Sequence, residues 1–114
     1  MDKERKKQII SEYKQQKTTG GVYRIYNKQT NKSLIKADIN LQAVQNRFRF
    51  SQKLNNCYTI ILQQDWLKYG TDAFAFEILM EIEMKSEENL KVFRDRLKRL
   101  EEEWKEKYSS EGLY

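Results

Sequence analysis

Residues 20–41 read GGVYRIYNKQTNKSLIKADINL and contain two short runs with strand character on either side of a polar segment. The runs at 22–26 and 33–36 are rich in β-branched, aromatic and aliphatic side chains, which favour strands. The segment between them, 27–32, is polar and includes two asparagines, which are common in tight turns. The pattern predicts a β-hairpin.

Three further elements follow the hairpin. Apolar residues recur at helical spacing over 40–54, where Asp38 and Asn40 are both plausible N-caps, and again over 59–69. Over 73–83 apolar residues alternate with small or polar ones, which is the period of a strand. The order predicts an α+β domain in which a small three-stranded antiparallel sheet is flanked by helices.

The last helix is expected to begin at Ser86, which can cap it ahead of two glutamates. Its apolar residues repeat every three or four positions and so form one stripe facing the sheet. We therefore expect Trp104 to be buried against the sheet. The stripe consists of Leu90, Phe93, Leu97, Leu100, Trp104 and Tyr108.

Composition excludes several classes of protein. The chain of 114 residues has no histidine and a single cysteine, Cys57, so it lacks the usual ligands of structural zinc and the histidine of nucleophilic triads. No apolar run approaches the roughly 18 residues of a membrane span. The N-terminal residues also lack the apolar stretch of a secretory signal. We therefore expect a cytoplasmic protein that has no membrane partner.

Positive charge is concentrated in the first half of the chain. Residues 20–58 contain seven cations and one carboxylate, Asp38. Such an imbalance indicates a phosphate-bearing partner, although basic side chains that merely solvate strand edges and a helix face would give the same count. The candidate nucleic-acid-binding residues are Arg24, Lys28, Lys36, Arg47, Arg49 and Lys53.

Five pieces of the sequence, in the right order, resemble the GIY-YIG nuclease domain. The resemblance covers about 20–110, which divides the chain into an N-terminal helix or arm at 1–19, the domain, and a tail at 111–114. It implies the fold of that family and hydrolysis of a DNA phosphodiester with a divalent metal ion. The matching pieces lie at 21–41, 46–48, 62–70, 74–79 and 100–104.

The resemblance also implies which residues would act. Tyr23 matches the first tyrosine of the family, which helps to deprotonate the attacking water. Glu101, three residues before Trp104, matches the glutamate that binds Mg²⁺ or Mn²⁺, and Glu102 takes its place if the register slips by one. These are the two positions that this sequence retains.

The other positions depart from the family pattern. Leu34 stands at the second tyrosine, Lys36 at the glycine of that motif, Val44 at the helix arginine and Tyr58 at the loop histidine. Loss of a cation aimed at the phosphate costs about 3–4 kcal/mol in the transition state. Arg47, one turn beyond Val44, and Lys36 are the nearest residues that could supply such a charge.

We therefore predict a degenerate GIY-YIG domain that binds DNA with little or no hydrolysis. The first alternative is a weak endonuclease that uses Tyr23, Glu101 and Mg²⁺ or Mn²⁺. The second is a protein-interaction module whose basic residues only keep it soluble.

Overall fold

The computed structural model of the protein describes residues 18–57 and 59–114. Its order of elements confirms the predicted α+β class. Of the predicted N-terminal arm at 1–19, residues 1–17 lie outside the described residues. Among the described helices, none is both long enough and apolar enough to cross a membrane. The elements are β1 (Thr19–Asn27), β2 (Ser33–Asp38), α1 (Leu41–Leu54), α2 (Ile60–Tyr69), a 3₁₀ turn (Thr71–Ala73), β3 (Phe74–Glu83) and α3 (Leu90–Tyr108).

The three strands form one antiparallel sheet in the order β2-β1-β3, so β2 and β3 are its edges. In the hairpin, Tyr23 pairs with Lys36, and Ile25 pairs with Leu34. Paired residues lie on the same face of a sheet, and this face is covered by α1 and α2. Arg24, one residue after Tyr23, lies on the opposite face beneath α3.

The polar segment between β1 and β2 closes the hairpin as predicted. The Asn27 N–H donates to the Lys32 carbonyl oxygen at 3.0 Å, and the Gln29 N–H donates to Asn27 Oδ1 at 2.9 Å. Asn31 takes a left-handed conformation, with φ of 62°. Asparagine tolerates this conformation better than most residues, so it suits the turn.

The main core lies between the sheet and the helices α1 and α2. The predicted stripe of α1 is confirmed, because Leu41, Val44 and Phe48 are all buried. Trp66 stacks on Phe74 with ring centroids 5.1 Å apart, and Phe48 meets Trp66 edge to face at 6.2 Å. The cluster consists of Tyr23, Ile25, Leu34, Leu41, Val44, Phe48, Leu62, Trp66, Ala73 and Phe74.

Gly21 lies where β1 and β3 approach each other closely. A Cβ atom at this position would overlap the carbonyl oxygen of Met80 on β3. The register of the two strands then shifts between Val22 and Tyr23. Any side chain at position 21 would push the strands apart, so this glycine is required by the backbone.

Helix α3 begins later than the sequence predicts. Its N-cap is Asn89, whose side-chain oxygen accepts a hydrogen bond from the Val92 N–H at 2.9 Å. The predicted cap at Ser86 is therefore wrong. Ser86 belongs to a preceding turn, in which the Lys85 N–H donates to the Glu88 carboxylate at 2.7 Å.

The stripe of α3 is fully buried only at Phe93 and Leu97, and its first residue, Leu90, is 46% exposed. Trp104 is half-buried, so the predicted burial of Trp104 is wrong. Beneath the second half of the helix, the sheet presents Arg24, whose guanidinium lies 4.8 Å from the Tyr108 ring centroid. A charged residue at this place leaves little apolar surface for Trp104 to cover.

Candidate functional site

Tyr23, which the resemblance places beside the attacking water, is a buried core residue. Its ring stacks on Phe76 of β3 with centroids 5.2 Å apart. It also belongs to the cluster beneath α1 and α2. Such aromatic pairs contribute about 0.5–1.5 kcal/mol beyond the area that they bury. The ring therefore helps to hold β1 against β3.

Glu101 lies at the outer edge of β2, where α3 crosses it. Its Oε1 accepts a hydrogen bond of 2.7 Å from the Ala37 N–H, and its Oε2 lies 3.3 Å from Lys105 Nζ. The side chain is only 15% exposed. An edge strand presents N–H groups that have no strand partner, and the Glu101 carboxylate satisfies one of them.

The donors around Glu101 do not fit a resident Mg²⁺ or Mn²⁺ ion. Magnesium requires about six oxygen ligands in octahedral geometry, whereas Oε2 of Glu101 faces the Lys105 ammonium and Oε1 is held by the Ala37 N–H. Glu101 also lines a cavity of ≈ 510 Å³ with Asp38, but Arg94 and Lys98 line it as well. Within 18–57 and 59–114, no three Asp, Glu, His or Cys side chains are grouped as metal ligands. Glu102, the alternative ligand, is 65% exposed and lies 3.7 Å from Lys105 Nζ.

The two retained positions lie around the same end of β2 but on opposite sides of the sheet. Tyr23 pairs with Lys36 on the face covered by α1 and α2. Glu101 lies on α3, which packs on the other face, and accepts a hydrogen bond from Ala37, the next residue of β2. The structure therefore brings Tyr23 and Glu101 to neighbouring positions along β2 without placing them in one cleft.

Two of the four positions that depart from the GIY-YIG pattern lie in the core. Leu34 and Val44 are both buried members of the main cluster. An arginine or tyrosine at either place would have to displace its apolar neighbours. Arg47 lies on the exposed side of α1. Tyr58 lies outside the described residues.

Lys36 lines a small cavity at the free edge of β2, with a volume of ≈ 150 Å³. Most of the lining is apolar, and the two cations that reach it are Lys36 and Lys105. Lys105 is already paired with Glu101. The lining consists of Leu34, Ile35, Lys36, Ile61, Lys105, Leu113 and Tyr114.

The last residues of the chain, in the segment assigned as a tail, run alongside β2. The Ser33 N–H donates to the Gly112 carbonyl oxygen at 3.0 Å, and the Tyr114 N–H donates to the Ser33 carbonyl oxygen at 2.9 Å. The Tyr114 hydroxyl donates to Asp65 at 2.6 Å. Burial, followed by this hydrogen bond, raises the pKa of Tyr114 to about 12. The sequence analysis did not predict that the last residues pair with β2. The one signal for it in the sequence was the apolar pair Leu113 and Tyr114 after Gly112.

Arg24 differs from the other candidate DNA-binding residues because it is engaged within the protein. Its guanidinium pairs with Glu77 at 3.0 Å and donates to Ser33 Oγ at 3.3 Å. It also lies 4.0 Å from the Tyr26 ring centroid and 4.8 Å from that of Tyr108. These contacts make it a link between the sheet and α3.

The exposed cations fall on different flanks of α1. Arg49 and Lys53 are four residues apart and share one flank. Lys28, in the hairpin turn, lines a groove of ≈ 490 Å³ together with Arg49, beside β3. Arg47 lies about 160° around the helix from Arg49. Among the described residues, Asp72 is the one carboxylate that lines this groove, and Lys53 extends the flank beyond it. Lys28, Arg49 and Lys53 together form what we call the β3-side basic surface.

The sheet order, the hairpin and the placement of the three helices are those of a GIY-YIG nuclease-like fold. Two solved structures share this fold. The first is the catalytic domain of the homing endonuclease I-TevI, with a TM-score of 0.59 and 23% identity over 80% of this chain and 89% of that one. The second is a glutamate-to-alanine mutant of the catalytic domain of the intron endonuclease I-TevI, with a TM-score of 0.60 and 21% identity over 84% and 92%.

Neither a protein-family model nor a curated protein sequence matches the chain. The predicted resemblance to the GIY-YIG nuclease domain is thus confirmed by structure, at the level of the fold.

Proposed function

We propose that this protein is a GIY-YIG-fold domain that binds DNA and has little or no hydrolytic activity. The observation that carries the proposal is the burial of Leu34 and Val44, where the resemblance implies a tyrosine and an arginine. Both side chains pack in the core and cannot contact a phosphate. The likeness to the catalytic domain of an endonuclease supports DNA as the partner.

The retained glutamate supports the loss of hydrolysis as well. For Glu101 to bind a metal ion through Oε2, the ion would have to displace Lys105, and it would lie in a cavity that Arg94 and Lys98 also line. Without a cation at Val44, a further 3–4 kcal/mol or so of transition-state stabilisation is missing. Arg47 and Lys36 do not replace it, because Arg47 is exposed on α1 and Lys36 lies at the apolar edge cavity.

The β3-side basic surface is the proposed contact with DNA. Lys28, Arg49 and Lys53 are exposed, and α1 itself contains no carboxylate. Cations of this kind bind phosphates, so the affinity should depend little on base sequence. If the three cations each contact one phosphate, a plot of the logarithm of the association constant against the logarithm of the salt concentration should have a slope of about −3.

The test is fluorescence anisotropy with a labelled DNA duplex at several salt concentrations. The variant Lys28→Gln/Arg49→Gln/Lys53→Gln should bind at least about 10-fold more weakly, with a shallower salt slope. The matched control, Lys91→Gln/Lys98→Gln/Arg99→Gln, removes the same charge from exposed positions on α3. Equal losses in the two variants would show that binding is not localised on the β3-side basic surface.

A weak endonuclease remains the alternative that the retained Tyr23 and Glu101 would support. It would nick a supercoiled plasmid with Mg²⁺ or Mn²⁺. That activity would fall in Glu101→Gln, which removes the negative charge but retains an oxygen that can accept the Ala37 hydrogen bond.

A further inference from the structure

Helices α1 and α2 expose five large apolar side chains, of which Ile61 is 48% exposed and the other four are more than half exposed. Phe50 and Leu54 of α1 are 62% and 57% exposed, and Ile60 and Leu67 of α2 are 87% and 79% exposed. Single exposed apolar residues are common on protein surfaces. We call these four residues, which lie on two consecutive helices, the α1–α2 apolar strip.

The spacing of these residues places them on two helix faces. Phe50 and Leu54 are four residues apart, and Ile60 and Leu67 are seven apart, so each pair lies on one side of its helix. Five residues separate α1 from α2, so Leu54 and Ile60 lie at the same end of the helix pair. The strip along α2 is about 10 Å long, which corresponds to two helical turns.

Helix α2 has large apolar side chains on both its buried and its exposed side. Leu62 and Trp66 are buried in the core, whereas Ile60 and Leu67 point to solvent. A surface helix ordinarily has one apolar face and one polar face, and a helix that is apolar all round is ordinarily buried. The exposed side of α2 also contains Gln63, Gln64 and Lys68, so it is mixed, but two large apolar side chains on one side of it leave apolar surface for a partner to cover.

The charges beside the strip indicate what kind of partner fits it. Arg47 on α1 and Lys68 on α2 are exposed, and the sequences of these two helices contain one carboxylate, Asp65. Asp65 is engaged by the Tyr114 hydroxyl at 2.6 Å. An apolar strip flanked by uncompensated cations is complementary to an apolar helix face flanked by carboxylates.

We propose that the α1–α2 apolar strip binds an acidic amphipathic helix of a partner protein. DNA is disfavoured at this place because phosphates gain nothing from Ile60 and Leu67, and because Arg49 lies on another flank of α1. A symmetric contact between two copies of the chain would set Arg47 and Lys68 of one copy against the same surface of the other. Like charges would then oppose each other.

The experiment uses the full chain and a labelled synthetic helix of about 18 residues, with leucines on one face and glutamates on its flanks, in about 0.15 M salt. Fluorescence anisotropy should detect binding. A scrambled peptide of the same composition and a peptide with lysine in place of glutamate should bind at least about 10-fold more weakly.

Two variants locate the contact. Ile60→Ser/Leu67→Ser removes exposed apolar side chains, and Arg47→Glu/Lys68→Glu reverses the flanking charge without touching the core. Each should weaken binding of the acidic peptide at least about 10-fold while leaving the melting temperature unchanged, and Ile60→Ser/Leu67→Ser should also leave the affinity for DNA unchanged. The matched control, Leu90→Ser/Val92→Ser, changes two half-exposed apolar residues at the start of α3 and should shift the affinity less than 2-fold or so.

Three results would overturn the proposal. The first is equal binding of the scrambled peptide, or no binding up to about 1 mM of the acidic peptide, the weak limit of a specific contact. The second is a dimer in sedimentation velocity that Ile60→Ser/Leu67→Ser abolishes, which would make a second copy the occupant. The third is a loss of DNA affinity in that same variant, which would assign the strip to the nucleic-acid surface.

Discussion

Replacing Glu101 by alanine removes the only acceptor found for the Ala37 N–H in the described part of the chain. A hydrogen bond to a charged group contributes about 1.5–3 kcal/mol, and the exposed pair with Lys105 adds at most about 0.5 kcal/mol. Water can reach the half-buried Ala37 after the substitution and compensates part of the loss. We therefore expect Glu101→Ala to lower the free energy of unfolding by about 1.5–2.5 kcal/mol.

The assay is urea and thermal unfolding followed by circular dichroism. At roughly 4 °C or more per kcal/mol for a domain of this size, the melting temperature should fall by about 6–10 °C. Glu102→Ala, at an exposed neighbouring position, should change stability by less than about 0.5 kcal/mol. Glu101→Gln keeps an acceptor oxygen and should recover at least half of the loss.

An unchanged melting temperature in Glu101→Ala would show that the Glu101 carboxylate does not stabilise β2. It would mean that the carboxylate is not bound to the edge strand. Glu101 would then be free for a metal ion, as the resemblance to the nuclease family implies.

Three further results are expected. Mg²⁺ or Mn²⁺ at millimolar concentration should leave the melting temperature in a thermal scan unchanged, because the Ala37 N–H and Lys105 hold the Glu101 carboxylate. A rise in melting temperature that Glu101→Gln abolishes would contradict this. The pKa of Tyr114 is raised to about 12, so the fold favours its protonated hydroxyl. The stability that this provides is complete below about pH 10 and is lost as the pH rises to about 12. An absorbance titration should show one late tyrosine that is missing in Tyr114→Phe, and its presence in that variant would reject the assignment. Phe93→Ala should cost about 3–5 kcal/mol in urea unfolding, and Trp104→Ala less than half as much, because only Phe93 is fully buried. Equal costs would show that α3 packs along its whole length.

Local patterns predicted the hairpin and the first helix because their determinants are close in sequence. Strand propensity and turn chemistry act over a few residues, as at Asn27 and Asn31. The cap at Ser86 matched the local signal equally well, yet it was wrong. Glu88 there is held by Arg96 at 3.0 Å and by the Lys85 N–H, so the turn continues and the helix starts after Asn89.

The candidate site was less predictable because its contacts join distant parts of the chain. Glu101 and Ala37 are separated by 64 residues, so no local pattern reveals their hydrogen bond. The partner of Arg24, Glu77, depends on the register between β1 and β3. Strand alternation alone does place Arg24 on the face opposite Tyr23, which separates it from the cations of α1.

The most direct test of DNA binding without hydrolysis is a plasmid assay read twice from the same incubation. Supercoiled plasmid is mixed with excess protein and Mg²⁺ or Mn²⁺ at low salt, and samples are run on a gel before and after removal of the protein. We expect the plasmid to migrate more slowly before the protein is removed and to be intact and supercoiled afterwards. Nicked or linear plasmid that is absent with Glu101→Gln would contradict it.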